Sequence, residues 1–412
     1  MKNSRLPPLD GILVLDFGQV YNGPYCGLLL GYLGARVIKI EPPAGDIIRG
    51  RQREGEPYPF LWLNSNKESI TIDLQSAAGR DIVRKLATRA DVLIENFTVG
   101  VMERHGVGWE QLRPMNPRLI YASGKGYGLD GPYRDYPAMD LTIQAVSGAM
   151  NATGFPDGPP VKAGPAICDF MGGVHLCVGV LAAIIERQRS GEGQLVESSM
   201  QEAVLMSLAS AVGAMYDPIE NKVVPPRTGN QHPGLSMAPY NVYETADGYI
   251  AIICVAERHW HSLAEVIGRP EMTRDTRFSD TVARAEHIDE IDDAIGTWTR
   301  LRGKVEIQRL LVDAGVPCAP VKSVEEAMND PHLIERRFWQ DIPHGTRGSV
   351  RLPTSPIRFG SSTVRGVERL APKLGADTEN VLSSVFGFST EDLEHLRNDG
   401  AFGRTGRAES AS

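Results

Sequence analysis

One carboxylate stands at the mouth of a long apolar stretch. In Val161–Gly193, VKAGPAICDFMGGVHLCVGVLAAIIERQRSGEG, Asp169 is the only ionised side chain between Lys162 and Glu186. After it Val174, Cys177, Val178, Leu181, Ala182 and Ile185 recur at the helical spacing of about 3.6 residues, which predicts a helix buried on most of its circumference. Glu186-Arg187-Gln188-Arg189 puts cations at its C-terminus, and Gly191 and Gly193 can supply the left-handed stop. Asp169 is therefore placed among unpaired helix N–H groups, where a carboxylate is expected to stay ionised at neutral pH. Two readings of it stand side by side. It can cap the helix, or it can attack a carbonyl and form an acyl anhydride, splitting a difficult exchange into two easier steps. Gly172-Gly173 would let a substrate or another backbone approach, and the entry from Gly158-Pro159-Pro160 through Gly164-Pro165 is rich in turn residues.

The composition bounds what surrounds this group. A chain of 412 residues, 42% hydrophobic and 23% charged, has room for two domains and a large core. Its net charge of −8 argues against a nucleic-acid partner. No uninterrupted apolar run reaches membrane-spanning length, and MKNSRLPPLDG is not a signal peptide, so no membrane partner is expected. Cys26, Cys168, Cys177, Cys254 and Cys318 are scattered without a CxxC pair, which fits the reducing cytoplasm and gives no zinc site. His259 and His261 alone make a poor metal site, and no metal is expected.

The first half alternates strands and helices. Strands are predicted at Gly11–Phe17, Arg36–Ile40, Ser69–Leu74, Asp91–Phe97 and Arg118–Ser123. Helices are predicted from Pro24 to Leu33 and from a Ser76 cap to about Ala90, with two short ones before the fifth strand. Such alternation implies an α/β fold with a parallel, doubly wound sheet of the Rossmann-like kind, in which ligands bind beyond the carboxyl ends of the strands. Those ends are Gly18–Gly23, Glu41-Pro42-Pro43, Asn96-Phe97-Thr98 and Gly124–Tyr127, rich in glycine and amides as a nucleotide-containing ligand needs. The first loop lacks GxGxxG, so pyrophosphate binding as in nicotinamide dehydrogenases is not supported.

Beyond Gln194 a helix is expected to about Met215, then a linker at Asp217–Arg227. A hairpin follows at Tyr240–Tyr243 and Tyr249–Val255, turned by Ala246-Asp247-Gly248. Helices near Trp260–Ile267, Ala283–Arg300 and Lys304–Ala314, a strand at Cys318–Lys322 and a capping box at Ser323–Glu326 complete a mixed α+β pattern. Three segments are thus expected: 1–221 as the first part of a large domain, 222–328 as a smaller α+β domain, and 329–412 returning to the large domain. In the last, Pro331–Trp339 is read as helical, Ser349–Leu352 and Ile357–Phe359 as extended, Thr390–Asn398 as a helix capped by Ser389, and GRTGRAESAS as a disordered tail.

Several long blocks, in one order, carry a family resemblance. They are LDGILVLDFGQVYNGPYC, LGARVIKIEPPAGD, LNSNKESITIDL, ADVLIENFTVGVMERHGVGWEQL, NPRLIYASGKGYG and CDFMGGVHLCVGVLAAIIERQRSGEGQLVESSMQEA. The chain resembles the class III coenzyme A transferases, the family of formyl-CoA transferase and of the carnitine and bile-acid CoA transferases. The resemblance implies a large nucleotide-type domain built from both chain ends and an interlocked ring-like dimer, either a homodimer or a heteromer with a paralogous subunit. Its substrates would be a small-molecule acyl-CoA and a carboxylic acid, with coenzyme A as the carried group.

Position by position, the resemblance places the nucleophile on Asp169. It places coenzyme A contacts on Val20, Tyr21 and Asn22, on Leu63, Asn64, Ser65 and Asn66, on Asn96, Phe97 and Thr98, on Arg104, and on Met139 and Asp140. An arginine such as Arg104 suits phosphate because its guanidinium offers paired, planar donors. Formyl-CoA transferase has glutamine where this chain has Tyr21 and arginine where it has Pro42. Its polyglycine loop is replaced by Gly229-Asn230-Gln231-His232-Pro233-Gly234, the candidate lid and oxyanion stabiliser. That shorter loop resembles the branch acting on larger acids. With Arg51, Arg227 and His232 as cations for a second carboxylate, it points to dicarboxylates and succinyl-CoA as donor. The related α-methylacyl-CoA racemases place a histidine before the aspartate where this chain has Met139-Asp140, and methionine cannot move a proton. A non-catalytic CoA-binding subunit is the alternative of another class, against which Asp169 speaks.

Overall fold

A computed structural model describes residues 6–53, 55–216, 225–361 and 366–403. Most of the expected linker at Asp217–Arg227 and nearly all of the GRTGRAESAS tail lie outside these residues. The chain divides into two compact units, one of 1–143, 165–204 and 331–412 and one of 144–164 and 205–330.

The first unit is organised by a six-stranded, all-parallel sheet. Its strands are β1 (Leu13–Asp16), β2 (Arg36–Glu41), β3 (Glu68–Thr71), β4 (Val92–Glu95), β5 (Ile120–Lys125) and β6 (Leu195–Ser199), in the order β3-β2-β1-β4-β5-β6. Parallel strands covered on both faces are near-continuous apolar runs, and the period of two sends neighbours to opposite layers. Val14, Val37, Val92, Ile94, Ile120 and Ala122 face α1 (Asn22–Tyr32) and the long helix Ile167–Ser190, whose Leu176, Cys177, Val180, Ala183 and Ile184 complete that core. Leu15, Ile38, Ile40, Leu93 and Tyr121 face the other way, onto the helix Ala77–Ala87 and onto Val381, Leu382 and Leu393 of the C-terminal helices Thr378–Ser384 and Thr390–Asn398. Ser76 caps Ala77–Ala87 by accepting from Gly79 N–H, and Ser389 forms a full capping box with Asp392.

The sixth strand corrects the expectation of a helix directly beyond Gln194. Leu195-Val196-Glu197-Ser198-Ser199 pairs with β5 as an edge strand, and the helix starts only at Met200. A second correction concerns Pro331–Trp339: the helix stops at Glu335, and Trp339–His344 forms an antiparallel hairpin with Gly348–Pro353. Ile357–Phe359 joins no sheet.

The helix Ile167–Ser190 departs from one expectation. It is buried on half its circumference rather than most, leaving Val174, Val178 and Ile185 at 37%, 59% and 60% exposure. Among the described helices it is long and apolar enough to cross a membrane by length and composition, with a mean hydropathy of 1.9 over an 18-residue window. A core helix packed on a sheet meets the same criteria.

In the second unit the hairpin strands Tyr240–Thr245 and Gly248–Ile253 leave a two-residue turn, Ala246-Asp247, and Cys318–Pro320 adds a third antiparallel strand. Trp260, Leu263, Ile291, Ile295, Ile307 and Leu311 pack onto this sheet from the helices Glu257–Val266, Ile288–Thr299 and Lys304–Asp313. The single helix expected at Ala283–Arg300 is two, Thr281–Glu286 and Ile288–Thr299, broken at His287. Ser323 and Glu326 form the expected capping box.

Candidate active site

The carboxyl ends of β1, β4 and β5 open into a cleft of about 240 Å³ that holds Asp169. Buried ion pairs brace its loops from beneath. Lys39 Nζ donates to Gly18 O at 2.8 Å and to Asp46 at 3.0 Å, while Asp46 accepts from the N–H groups of Val20 and Ile48. That support holds Val20 in the left-handed region at φ 64°, a conformation a β-branched residue adopts only when its surroundings over-determine it. Asn96 joins two loops by accepting from Gln19 N–H at 2.8 Å and donating to Gln19 O at 2.9 Å. Lys125 pairs with Glu95 and donates to Phe97 O at 2.6 Å, and Glu95 accepts from Phe97 N–H at 2.9 Å.

Asp169 is not the helix cap. The helix begins at Ile167, Asp169 lies in its first turn, and its orphan donors are taken by a carboxylate 29 residues upstream: Asp140 accepts from Cys168 N–H at 2.8 Å and from Asp169 N–H at 3.2 Å. The Asp169 side chain is thereby left for other work. Its acidity also reverses the expectation of ready ionisation. Burial, then the neighbouring Asp140 charge, push Asp169 up to about 7, against opposing contributions from Arg51 and Asn22. Helix-end partial charges were expected to dominate, but desolvation and a like charge outweigh them.

The glycine pair Gly172-Gly173 admits another part of the chain rather than standing open. A Cβ on Gly172 would lie 2.4 Å from Asn22 Nδ2, and one on Gly173 2.7 Å from Asn22 O. This close seating of α1 lets Asn22 Nδ2 donate to Asp169 O at 3.3 Å. Phe170 packs among Tyr21, Tyr25 and Trp62, with ring centroids 4.7–6.1 Å apart.

The sequence matches the family model described as CoA-transferase family III over residues 9–378. The chain belongs to CoA-transferase family III. It is 36% identical to the succinyl-CoA–D-citramalate CoA-transferase of Chloroflexus aurantiacus, over 96% of this chain and 99% of that one. It is also 36% identical to a formyl-CoA:oxalate CoA-transferase of Streptomyces avermitilis, over 95% and 98%. A CAIB/BAIF family protein from Brucella suis has a similar structure, with a TM-score of 0.80 at 32% identity over 92% of this chain and 99% of that one. The expected activity, acyl-CoA:carboxylate CoA-transfer, stands on these relatives.

For a CoA-transferase the distribution of the expected contacts is informative. Val20, Asn22, Asn96, Phe97, Thr98, Met139 and Asp169 line one cleft. Tyr21 does not, being packed on Phe170. Leu63, Asn64 and Ser65 are buried, and Asn64 accepts from Lys67 Nζ at 3.0 Å. Asn66, at φ 63°, donates to Gly366 O and accepts from the N–H groups of Glu368 and Arg369. That turn fastens the returning C-terminal chain and does not line the Asp169 cleft. Arg104 is exposed at the end of the short helix Val101–Arg104 and also lies outside the cleft lining, and Asp140 serves as the helix cap.

Other lining residues went unassigned: Gln19, Ile47, Lys125, Tyr127, Arg134, Tyr136 and Met200. Several lie on the strand-end loops that the parallel-sheet rule singled out. A second cleft, of about 170 Å³ and mostly apolar, shares Gln19 and Phe97 with the first and runs along Ile40, Glu41, Pro42 and Ile72–Gln75.

The candidate lid belongs to the second unit. There Gly229 N–H donates to Gly154 O, Gln231 Nε2 donates to Asp292 at 3.1 Å, and the His232 ring meets Tyr240 edge-on at 5.4 Å. Gly229 and Gly234 have φ of 62° and 87°, and Asn230 lies between the anchored positions. Arg227 is spent on backbone oxygens of Asn151, Phe155 and Gly158. Of the three cations assigned to a second carboxylate, Arg51 is the one whose field reaches Asp169.

Proposed function

We propose that Asp169 is the covalent nucleophile of the exchange. Its ionised carboxylate attacks the thioester carbonyl of a donor acyl-CoA, the carbon–sulfur bond breaks, and CoA leaves as thiolate from a mixed anhydride. The thiolate attacks the aspartyl carbonyl and expels the donor acid as its carboxylate, leaving an aspartyl-CoA thioester. The acceptor carboxylate then displaces the thiolate into a second anhydride. Thiolate attack on the acceptor carbonyl releases the new acyl-CoA and returns the Asp169 carboxylate. No net proton is consumed. One observation carries this reading: the Asp169 carboxyl opens on a cleft with another carboxylate beside it and its helix donors already satisfied by Asp140.

The pantetheine arm of CoA lies along Val20, Asn96-Phe97-Thr98 and Met139, and the flat apolar second cleft takes the adenine end. Dicarboxylic acids, with succinyl-CoA as a donor, are the substrate class. The relative from Chloroflexus aurantiacus named for succinyl-CoA and D-citramalate supports this, and Arg51 is the cation near Asp169 for the second carboxylate. Anhydrides hydrolyse readily, so the site must keep water out. The exposed apolar stripe Val174, Val178 and Ile185 supports a second copy of this chain as its partner in a homodimer. The free, mostly buried cysteines fit the cytoplasm.

The test is a quench of the enzyme with acyl-CoA, hydroxylamine treatment and mass analysis of the peptide containing Asp169. A hydroxamate at Asp169 is expected, with succinyl-CoA the favoured donor in a panel. CoA migrating between acids while that peptide stays unmodified would refute the covalent route.

A further inference from the structure

Coenzyme A brings several phosphate charges to a chain whose own net charge is −8, so local cations must hold them. Two cations line the Asp169 cleft, Lys125 and Arg134. Lys125 is committed: its donors go to both Glu95 oxygens at 2.8 and 2.7 Å and to Phe97 O at 2.6 Å. Arg104 does not line the cleft. Arg134 offers five N–H donors. Only Nε meets a partner among the described residues, the adjacent exposed Asp135 at 3.3 Å, which leaves the paired Nη donors of a half-exposed side chain available.

The loop that carries Arg134 is built to hold it. Chain leaves β5 at Gly126 and comes back so closely that a Cβ on Gly126 would lie 2.1 Å from that of Ala138. Within the loop Tyr127, Tyr133 and Tyr136 pack on one another with centroids 5.0–6.1 Å apart, and Tyr127 and Tyr136 line the cleft beside Arg134. The cation felt at Asp169 is Arg51, on another element, which leaves Arg134 for the part of the ligand remote from the reacting carbonyl.

We infer that Arg134, with the hydroxyls of Tyr127 and Tyr136, forms a subsite for phosphate oxygens of the coenzyme A moiety. The inference rests on the reading of this cleft as the CoA thioester site. A guanidinium fork and two phenolic donors on a ring-stiffened loop match the tetrahedral oxygens of a phosphate.

Calorimetric binding of CoA is to be compared with that of pantetheine, which has the same thiol arm without the nucleotide phosphates. R134Q is expected to weaken CoA binding roughly 10-fold and pantetheine binding less than about 2-fold, the loss of charge-assisted hydrogen bonds. R134K, which keeps the charge, should recover part of the difference, and Y136F should show a smaller CoA-selective loss. Equal weakening of both ligands would make Arg134 a structural residue and overturn the inference, as would undiminished CoA binding. The acid is the other source of anionic oxygen. If instead kcat/KM of R134Q falls for dicarboxylate but not monocarboxylate acceptors, Arg134 reads the acid and the phosphate assignment is wrong. A wild-type protein that binds neither CoA nor its thioesters would defeat the reading of the cleft itself, which is a different result from wild-type CoA binding that R134Q leaves intact.

Discussion

Two sets of charges, one buried and one partly exposed, lie at the carboxyl edge of the same sheet, and they are built on opposite rules. In the first, every carboxylate has a cation: Asp16 with Lys67 at 2.7 Å, Asp46 with Lys39 at 3.0 Å, Glu41 with Arg49 at 2.7 Å and Glu95 with Lys125 at 2.7 Å. Lys39 donates further to Gly18 O, and Lys67 to Pro24 O and to Asn64 Oδ1. In the second, Asp169 has Asp140 for its neighbour, and burial first and that like charge second lower its acidity. Paired charges brace loops and gain little from being reactive. A carboxyl held beside a like charge is costly to keep, and that cost is tolerable where chemistry needs the group.

Asp169→Asn breaks the contrast at its centre and carries the largest expected effect. Transfer should fall by at least about 10³-fold, the scale of losing a covalent nucleophile. The same change should stabilise the fold at alkaline pH. A carboxyl whose folded pKa of about 7 exceeds its ordinary 3.8 favours the folded state below 3.8 and costs stability progressively as pH rises from there to 7. The melting temperature of D169N is therefore expected to exceed that of the wild type by about 2–4 °C at pH 8, with the gap closing near pH 4. An equal or lower melting temperature at pH 8 would mean the site carries no such cost.

The scaffold side is tested by Lys67→Met. Burial pulls the Lys67 amine down to about 8 while Asp16 opposes that pull, and removing it leaves Asp16 buried and uncompensated. A loss of roughly 3–5 kcal/mol in denaturant unfolding is expected. A loss under about 1 kcal/mol would show the pair to be idle.

Asp140→Asn sharpens the comparison with the smallest effect. An asparagine carbonyl can still accept from the Cys168 and Asp169 N–H groups, so the helix start is kept while the like charge goes. The acid limb of kcat/KM, expected to rise through about pH 7 as Asp169 ionises, should move to lower pH in D140N. A limb that stays in place would assign the lowered acidity to burial alone.

The strands were legible where burial on both faces made them continuous apolar runs, as in Val14-Leu15 or Val92-Leu93-Ile94. β6 was not, because Leu195–Ser199 is an edge strand that carries Glu197, Ser198 and Ser199 and has no apolar run to announce it. Asp169 was visible as a lone charge before an apolar helix, and the residues Val20, Asn96 and Thr98 that share its cleft lie on the strand ends that parallel sheets use. Its acidity was hidden. Nothing local to Asp169 shows that Asp140 reaches across 29 residues to take the helix donors. Likewise Leu63–Asn66 resembled a ligand loop, and only the returning chain at Gly366–Arg369 shows what its polar groups hold.

The touching of Gly126 and Ala138 has a consequence for how such a protein can change. Because both feet of the tyrosine loop stand on one spot, residues can be exchanged, added or removed between them without shifting the strand that ends at Lys125 or the carboxylate at Asp140 that sets the start of the long helix. The stretch is a natural cassette, replaceable by grafting while Asp169 keeps its place.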